Sequence, residues 1–364
     1  MPAIEVITLT DGGQSAEEVA RRVAEFLRPA KSTLELALYD VRLPDPTGSI
    51  VADELRAAES RGVAVRLLYN VDSGRPSELH PPPRTQPEIL AELPIDARPV
   101  PGIPDLMHHK YAVRDSEAVW AGSANWTVDS WTRQENVVAR IEHPEVAARF
   151  RRNFEELWSD PDVEHSGRVD PEPVDVGGTR VTAWFTPGHG EALSQRIATA
   201  IGRARRVRIA SPVITSGPVL GTLAELADKG GRDIAGVVDG PQTTTVFHQW
   251  AENGHTAWKI PLLAAVLGKL PFSAKPSTPW TPELAVHDFM HCKLTVAGDV
   301  VFLGSFNLSR SGEQNAESVL EIQDSRLADR LAGFVDGVRA RYPGAQIPAQ
   351  SRDMTSSTPS ATSA

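Results

Sequence analysis

The sequence contains a single cysteine, Cys292, among its 364 residues. One cysteine excludes an intramolecular disulfide and a cysteine-based zinc site. The sequence has no apolar run of about 18 residues, the length that a membrane-spanning helix needs. Its first residues, MPAIEVITLTDGG, lack the basic and apolar regions of a signal peptide. These absences predict a cytoplasmic protein with no permanent membrane anchor.

Positive charge is also scarce. The 37 lysines and arginines are outnumbered by 47 aspartates and glutamates, which gives a formal net charge of −10. A chain with this charge repels phosphates at long range, so an anionic substrate has to be held by a few local cations. We therefore do not expect the sequence-independent coating of nucleic acid that basic proteins show.

The order of predicted elements occurs twice, over residues 1–164 and 179–345. Each half begins with alternating strand and helix patterns and closes with a helix that has one apolar face. The alternation predicts an α/β fold with a parallel sheet in each half. We expect two similar lobes around an approximate two-fold axis. A linker rich in Pro and Gly at 165–178 is expected to join them, and a disordered tail at 346–364 to follow.

Both halves contain the same polar pattern, His-x-Lys followed by Gly-Ser-x-Asn. On a strand, residues two positions apart project from the same face. The histidine and lysine of each half therefore share a face, and so do the serine and asparagine. Two independent copies of this pattern are not expected by chance. The eight side chains are those of His108, Lys110, Ser123 and Asn125 in the first half, and of His291, Lys293, Ser305 and Asn307 in the second.

Around one cavity between the lobes, these side chains suit a phosphoryl group. The lysines neutralise its non-bridging oxygens, the asparagine amides donate hydrogen bonds to it, and Ser123 and Ser305 are expected to bind the substrate beside them. A neutral imidazole attacks phosphorus, and a protonated imidazole donates a proton to the leaving oxygen. We assign His108 as the nucleophile and His291 as the general acid, although the pattern fixes the pair and not the order. This chemistry requires no metal or other cofactor.

The pattern HxKxxxxD followed by GSxN, present twice, resembles the phospholipase D superfamily, and the resemblance covers about residues 3–342. It implies two phospholipase D-like lobes, each a mixed sheet flanked by helices. It also assigns Asp115 to the first motif, more to its structural frame than to the attacking pair. In the second motif Gly298 stands at the aspartate position and Asp299 follows one residue later, so this motif is degenerate.

The resemblance also implies that a carboxylate orients each histidine. Glu135 and Glu317 each stand 10 residues beyond the asparagine of their motif, so they are the candidates. With these two residues the expected catalytic set is complete.

The resemblance implies an enzyme that hydrolyses or transfers a phosphodiester through a phosphohistidine, with a phospholipid or a nucleic acid as substrate. The apolar segment 255–272 and the absence of a basic stripe favour a phospholipid headgroup. A metal-independent endonuclease of the same superfamily is one alternative. A catalytically degenerate phosphate-binding or scaffold protein is another. The sequence does not indicate an oligomeric state.

Two further segments allow more than one interpretation. The segment 255–272 is either a lid that grips acyl chains or a helix that covers the core of the second lobe. The sequence HDFMH, residues 287–291, imitates a zinc-protease pattern, but it has Asp where that chemistry needs Glu and lies in a strand context. We favour the covering helix for the first segment and a site without metal for the second.

Overall fold

A computed structural model of the protein describes residues 3–71, 93, 95–278 and 287–343. Two β-sheets carry the two halves of the sequence, and helices pack on their faces. The expected disordered tail and much of the insert at 72–106 lie outside the described residues.

The described strands of the first lobe are β1 (Ile4–Leu9), β2 (Thr33–Leu38), β3 (Val41–Arg42), β4 (Ala64–Val71), β5 (Asp96–Pro101), β6 (Lys110–Arg114), β7 (Ala118–Gly122), β8 (Trp126–Thr127) and β9 (Gln134–Glu142). Its described helices are α1 (Ala16–Leu27), α2 (Thr47–Ser60), α3 (Val128–Thr132) and α4 (Pro144–Ser159).

A 3₁₀ turn at Val163–His165 leads into the second lobe. The described strands there are β10 (Pro173–Val176), β11 (Thr179–Phe185), β12 (Arg206–Ala210), β13 (Asp233–Asp239), β14 (Phe272–Lys275), β15 (Phe289–Met290), β16 (Leu294–Ala297), β17 (Val300–Gly304) and β18 (Ser318–Gln323). The described helices are α5 (Gly190–Arg203), α6 (Gly217–Lys229), α7 (Gly240–Glu252), α8 (Ile260–Lys269), α9 (Arg310–Gln314) and α10 (Ser325–Arg341), with a second 3₁₀ turn at Ala257–Lys259.

The two large sheets have the same strand order. The first runs β1-β9-β7-β6-β2-β4-β5, and the second runs β11-β18-β17-β16-β12-β13-β14 with β10 added beyond β11. In each sheet three neighbouring strands are parallel: β2, β4 and β5 in the first, and β12, β13 and β14 in the second. An antiparallel hairpin, β6–β7 or β16–β17, lies beside β2 or β12, on the side of the first strand of its lobe. The prediction of a parallel sheet was therefore wrong for most of the strand pairs in each sheet. The mixed sheet flanked by helices, and its repetition in two lobes, are confirmed.

Helix α1 shows how local sequence sets these elements. The Ser15 hydroxyl accepts the N–H of Glu18, and the Glu18 carboxylate accepts the N–H of Ser15 in return. This reciprocal cap satisfies donors that the first turn would otherwise leave unpaired. The apolar face of this helix, with Val19, Val23 and Phe26, is buried in the core of the first lobe.

Helices α4 and α10 contribute to a central core that both lobes share. Phe150 of α4 packs edge-on against Phe185 of β11 in the other lobe, with 5.0 Å between the ring centroids. Leu331 and Val335 of α10 belong to the same buried cluster. Because this apolar surface is removed from water only when the lobes meet, it stabilises their association.

Each lobe also places a short segment against the last strand of the other lobe. Met107 forms a bridge with Ala316, and β15 pairs in parallel with the start of β9, where Met290 lies opposite Glu135. Met107 and Met290 directly precede His108 and His291. The fold therefore carries both histidines into the interface between the lobes.

Two segments between the main elements are ordered. The expected linker 165–178 contributes strand β10, which pairs with β11. In the segment 255–272, helix α8 buries Leu263 and Val266 in the second core, as expected of a covering helix, whereas Trp258 is 58% exposed. No helix in the described ranges is long and apolar enough to cross a membrane.

Gly304 lies where two strands approach too closely for a side chain, because a Cβ at this position would overlap the carbonyl oxygen of Ser318. We expect Gly304→Ala to lower the free energy of unfolding by about 1–3 kcal/mol, the usual cost of overpacking, as measured by urea denaturation. Gly221→Ala is the control, since the space around this helical glycine is open. It should stabilise the protein by up to about 1 kcal/mol. Equal effects of the two substitutions would contradict this account.

Candidate active site

His108 and His291 are almost completely buried where the lobes meet, each with 7% of its surface exposed. The backbone N–H of His108 donates to the carbonyl of Ala316 in the other lobe, at 2.9 Å. Each histidine is followed along the chain by a strand of its own lobe, β6 after His108 and β16 after His291. Both rings are therefore held by the two sheets together.

A carboxylate of the opposite lobe holds the ring of His108. Both carboxylate oxygens of Glu317 lie 2.8 Å from His108 Nδ1, and Glu317 is completely buried. Burial raises the pKa of Glu317 to about 8, although the ammonium groups of Lys110 and Lys293 oppose the shift. Burial and the same two ammonium groups lower the pKa of His108 well below its usual range. With Nδ1 engaged, Nε2 is the ring nitrogen left for chemistry.

An amide, not a carboxylate, holds the ring of His291. Asn136 Oδ1 lies 3.0 Å from His291 Nδ1 and also accepts the hydroxyl of Ser123 at 2.7 Å. The Nδ2 group of Asn136 donates to the backbone carbonyl of Ser130 at 2.9 Å, which fixes the orientation of the amide. Asn136 is therefore the counterpart of Glu317, and sequence reasoning missed it.

The structure does not place Glu135 beside a histidine. Its carboxylate accepts the Lys275 ammonium at 2.9 Å and the Tyr342 hydroxyl at 3.0 Å. Strand register explains the error: Met290 lies opposite Glu135, whereas Met107 lies opposite Ala316. Glu135 thus corresponds to Ala316. The expectation that Glu135 orients a histidine was wrong.

Lys110 and Lys293 lie on the same faces as their histidines, as the spacing predicted. Each ammonium group donates to the backbone carbonyl of its own histidine, at 2.7 Å. Burial lowers the pKa of Lys110 well below its usual range and lowers that of Lys293 to about 7. Two buried ammonium groups share one buried carboxylate, Glu317, so the site favours an added anion.

Asn125 and Asn307 follow the two Gly-Ser turns, and the side-chain Oδ1 atom of each is buried without a hydrogen-bond partner among the described residues. Unsatisfied buried polar atoms are rare in folded proteins and mark positions that await a ligand or water. An amide oxygen needs a donor such as a hydroxyl or a water molecule, and binding of a phosphoryl group by the two asparagines stays a prediction.

Ser123 and Ser305 lie beside the groups that hold the two histidine rings, since Ser123 bonds to Asn136 and Ser305 bonds to Glu317. Both are completely buried, and their hydroxyls accept the backbone N–H groups of Val137 and Ser318 at 2.9 Å. The Ser123 hydroxyl also donates to Asn136. These contacts give the two hydroxyls a structural role next to Asn136 and Glu317, and substrate binding by the two serines stays a prediction.

Asp115 lies at the β6–β7 turn, outside the cluster of histidines and lysines. Its carboxylate accepts the backbone N–H groups of Lys31, Ser32 and Thr33 at 2.7–3.1 Å. These contacts fit the structural role that the resemblance implies for Asp115, and a catalytic role for this residue stays a prediction. In the second lobe a two-residue turn replaces it, with Gly298 at a φ of 66° that suits glycine.

Two further residues that the sequence interpretation missed hold the histidine segments. Asn70 Oδ1 accepts the backbone N–H of Met107 at 2.9 Å, and Asp239 Oδ2 accepts that of Met290 at 3.1 Å. Both end corresponding strands, β4 and β13. Burial raises the pKa of Asp239 to about 6. Aligning the two halves strand by strand would have pointed to this pair.

The neighbouring histidine and cysteine are structural. His109 packs between Tyr111 and Phe185, with ring centroids 4.9 and 6.5 Å away. Cys292 is buried in the shared core. In the HDFMH segment, His287 Nδ1 lies 2.9 Å from Asp129 Oδ2. No group of three His, Cys, Asp or Glu side chains in the described part of the chain is arranged to hold a metal ion.

Residues 23–158 and 193–336 match the model of a family described as cardiolipin synthase, phospholipase D-like domain. The two segments together make up most of the chain. The chain belongs to this phospholipase D-like family. The sequence interpretation of a phospholipase D-like enzyme is confirmed at this level.

The human mitochondrial cardiolipin hydrolase is 25% identical to the chain over 196 residues, which cover 50% of this chain and 73% of that protein. The Chlamydomonas reinhardtii mitochondrial cardiolipin hydrolase is also 25% identical, over 38% of this chain, and the chain spans only 56% of its length. The crystal structure of phosphatidylserine synthase from Haemophilus influenzae superposes with a TM-score of 0.61 at 15% identity, covering 93% of this chain and 86% of that one. This last likeness shows the fold.

Because Asp115 acts on the loop at residues 31–33, we expect Asp115→Ala to lower the free energy of unfolding by about 1–3 kcal/mol and to leave the kcat of the folded protein within about twofold. Asp299→Ala is the matched control, since this exposed carboxylate accepts only a 3.3 Å bond from Gln323 among the described residues. Chemical denaturation and steady-state kinetics with bis(p-nitrophenyl) phosphate measure the two effects. A large loss of kcat at unchanged stability would return Asp115 to the catalytic set.

Lys293 should make anion binding weaken as the pH rises. Its ammonium group loses its proton as the pH passes about 7, and Glu317 gains negative charge near pH 8. Both changes weaken the binding of an anion. The Kd of sulfate should therefore increase by up to about tenfold per pH unit above the pKa of Lys293. Calorimetric titration between about pH 6 and 8.5 measures it. Lys293→Arg should flatten the dependence, because guanidinium does not titrate there. An affinity that rises with pH would refute this prediction.

Proposed function

We propose that the protein is a phosphodiesterase that forms a phosphohistidine at His108 and acts on a phospholipid headgroup, by hydrolysis or by transfer to an alcohol. The observation that carries the proposal is the convergence of two buried His-x-Lys pairs, one from each lobe, around Glu317. Two histidines suit the two proton transfers of this reaction, and two lysines suit the charge on a phosphoryl group.

His108 is the nucleophile in this proposal. Its Nδ1–H donates to Glu317, so Nε2 carries the lone pair that attacks phosphorus. As the N–P bond forms, the ring gains positive charge. The ionised form of Glu317, which increases as the pH approaches about 8, stabilises this charge. The low pKa of His108 keeps the ring neutral and ready to attack at neutral pH.

His291 is the general acid. Its Nδ1–H donates to the Asn136 amide oxygen, a neutral acceptor that does not hold a proton on the ring as a carboxylate would. The imidazolium therefore gives its Nε2 proton readily to the leaving oxygen as the P–O bond breaks. In the second step the neutral ring removes a proton from water or an alcohol, which displaces His108 from phosphorus.

Lys110, Lys293, Asn125 and Asn307 bind the phosphoryl oxygens. The bound anion offsets the positive charge of two buried ammonium groups that share one carboxylate. The Nδ2 groups of the two asparagines are the donors in this contact, because an amide oxygen and a phosphoryl oxygen are both acceptors.

Several observations support a phospholipid over a nucleic acid as the substrate. The net charge of −10 disfavours association with a polyanion. The human and algal relatives are named as cardiolipin hydrolases, at 25% identity. The cytoplasmic location and the metal independence stay predictions.

The roles of the two histidines can be separated by comparing substrates with a good and a poor leaving group. With bis(p-nitrophenyl) phosphate, which releases a good leaving group, the His291→Ala variant should give a burst of one equivalent of p-nitrophenolate and then no further turnover. With phosphatidylcholine, which releases a poor leaving group, the same variant should react about 10²–10⁴-fold more slowly than the wild type. His108→Ala should show no burst with either substrate. The burst measured by stopped flow in EDTA tests both roles at once.

His109→Phe is the control for these substitutions, because His109 packs among aromatic rings and should leave the burst intact. A burst that survives His108→Ala, or one that EDTA abolishes in the wild type, would refute the mechanism. A panel of phospholipid vesicles and single-stranded oligonucleotides then assigns the substrate, and turnover of oligonucleotides alone would replace the phospholipid proposal with an endonuclease.

A further inference from the structure

The ring of Tyr39 lies against two side chains of the candidate site. Its centroid is 4.6 Å from that of the His108 imidazole, and the two ring planes meet at 67°, which is an edge-to-face contact. The Lys110 ammonium lies 4.9 Å from the same centroid, within the range of a cation–π interaction. Tyr39 therefore contacts the proposed nucleophile and a proposed phosphate-binding group at once, and no step of the proposed mechanism uses it.

The backbone around Tyr39 is held on both sides. Tyr39 directly follows strand β2, and its backbone N–H donates to the carbonyl of His109 at 2.8 Å. The next strand, β3, pairs with β8, which directly follows Asn125. Between the two strands, Arg42 Nε lies 3.0 and 3.1 Å from the carboxylate oxygens of Asp40. The ring is thus carried by a fixed segment, as a group that positions another side chain requires.

The second lobe has a proline at the position of Tyr39. Ala37 of β2 and Ala210 of β12 each lie opposite the third residue after the histidine of their lobe. Tyr39, two residues beyond Ala37, therefore corresponds to Pro212. Proline offers neither an aromatic face to an ammonium group nor a backbone N–H to a neighbouring strand. This contact is therefore specific to the first lobe.

His291 has an aromatic neighbour of a different kind. Phe289 belongs to the same short segment of chain, with its ring centroid 5.6 Å from that of His291 and its plane tilted by 41°. Tyr39 approaches His108 from another strand, more closely and more nearly at a right angle. The two histidines thus differ in the aromatic ring beside them as well as in the partner of Nδ1.

The contacts of Tyr39 are made by an uncharged ring. Burial and the nearby carboxyl groups of Asp40 and Glu317 raise the pKa of Tyr39, so its hydroxyl keeps the proton near neutral pH. The ring face then favours the charged form of Lys110 without an ion pair. The hydroxyl forms no hydrogen bond with a described residue. Removal of the hydroxyl alone therefore leaves both ring contacts in place.

We propose that Tyr39 is a positioning residue for the attack of His108 on phosphorus, because its ring fixes the imidazole from one side and holds the Lys110 ammonium beside it. Misplacement of a reacting group by about 1 Å can slow a reaction by about 10²-fold, so a side chain that fixes the nucleophile has a measurable effect on rate. The inference rests on the proposed function, since it concerns the same site and the same nucleophile.

The burst of the His291→Ala variant with bis(p-nitrophenyl) phosphate isolates this step. In that background, Tyr39→Leu removes both ring contacts and should lower the rate constant of the burst by about 10–100-fold. Tyr39→Phe keeps both contacts and should restore the rate constant to within about twofold of the value for His291→Ala alone. The amplitude of the burst should stay at one equivalent in both, because it counts folded sites. A purely structural defect would lower the amplitude and leave the rate constant unchanged.

Tyr69→Leu in the same background is the matched control. Tyr69 lies opposite Leu38 in the same sheet and is also half-buried, but it packs against the core formed with helices α1 and α2. This substitution should leave the rate constant of the burst unchanged.

The outcomes separate this inference from the proposed function. An unchanged rate constant in Tyr39→Leu, or an equal loss in Tyr39→Leu and Tyr39→Phe, would overturn the role of the ring and leave the proposed function standing. Absence of a burst in His291→Ala itself would overturn the proposed function, and this inference with it.

Discussion

The structure of the site depends on one buried carboxylate that crosses between the lobes. Glu317 directly precedes the last strand of the second sheet, yet it holds the ring of the first-lobe histidine at 2.8 Å and interacts with the buried lysines of both lobes. None of these groups can be buried alone at an acceptable free energy, since an isolated ammonium or carboxylate group would be strongly destabilised. The lobes must therefore associate to neutralise their own polar groups, and the aromatic core around Phe150 and Phe185 keeps them associated. Folding and assembly of the site are a single event.

The two lobes differ in the side chains that hold the rings of His108 and His291. The sheets repeat the same order, and each histidine segment bonds to the far lobe, but one ring faces a carboxylate and the other faces an amide. A perfectly duplicated site would give both rings the same proton affinity, which is unsuited to a reaction that needs one neutral and one protonated imidazole. Glu317 and Asn136 at corresponding positions therefore give the two rings different hydrogen-bond partners.

Much of this arrangement was accessible from the sequence. The repeat, the lobe interface, and the two histidines and lysines follow from period-two spacing and duplication, because strands leave little freedom in which face a side chain takes. The partner of His291 was not accessible by counting residues. Glu135 and Glu317 each stand 10 residues beyond the asparagine of their motif. The first segment, however, holds one extra residue before its strand, so the two glutamates project from different faces of their sheets. A one-residue shift on a strand reverses the side chain, and only pairing with the other lobe reveals it. The parallel-sheet prediction failed for a similar reason, because local alternation does not say where a returning hairpin inserts.

The missing aspartate of the second motif has a local explanation that bears on function. Asp115 ties a three-residue turn to the loop at residues 31–33, and nothing in its contacts reaches the phosphoryl site. The second lobe closes the same hairpin with two residues, and Gly298 takes the positive φ that this shorter turn requires. Degeneracy of the motif at this position is thus a change of turn type. It leaves His291, Lys293 and Asn307 where the first lobe places their counterparts, and so it does not argue for a scaffold without catalysis.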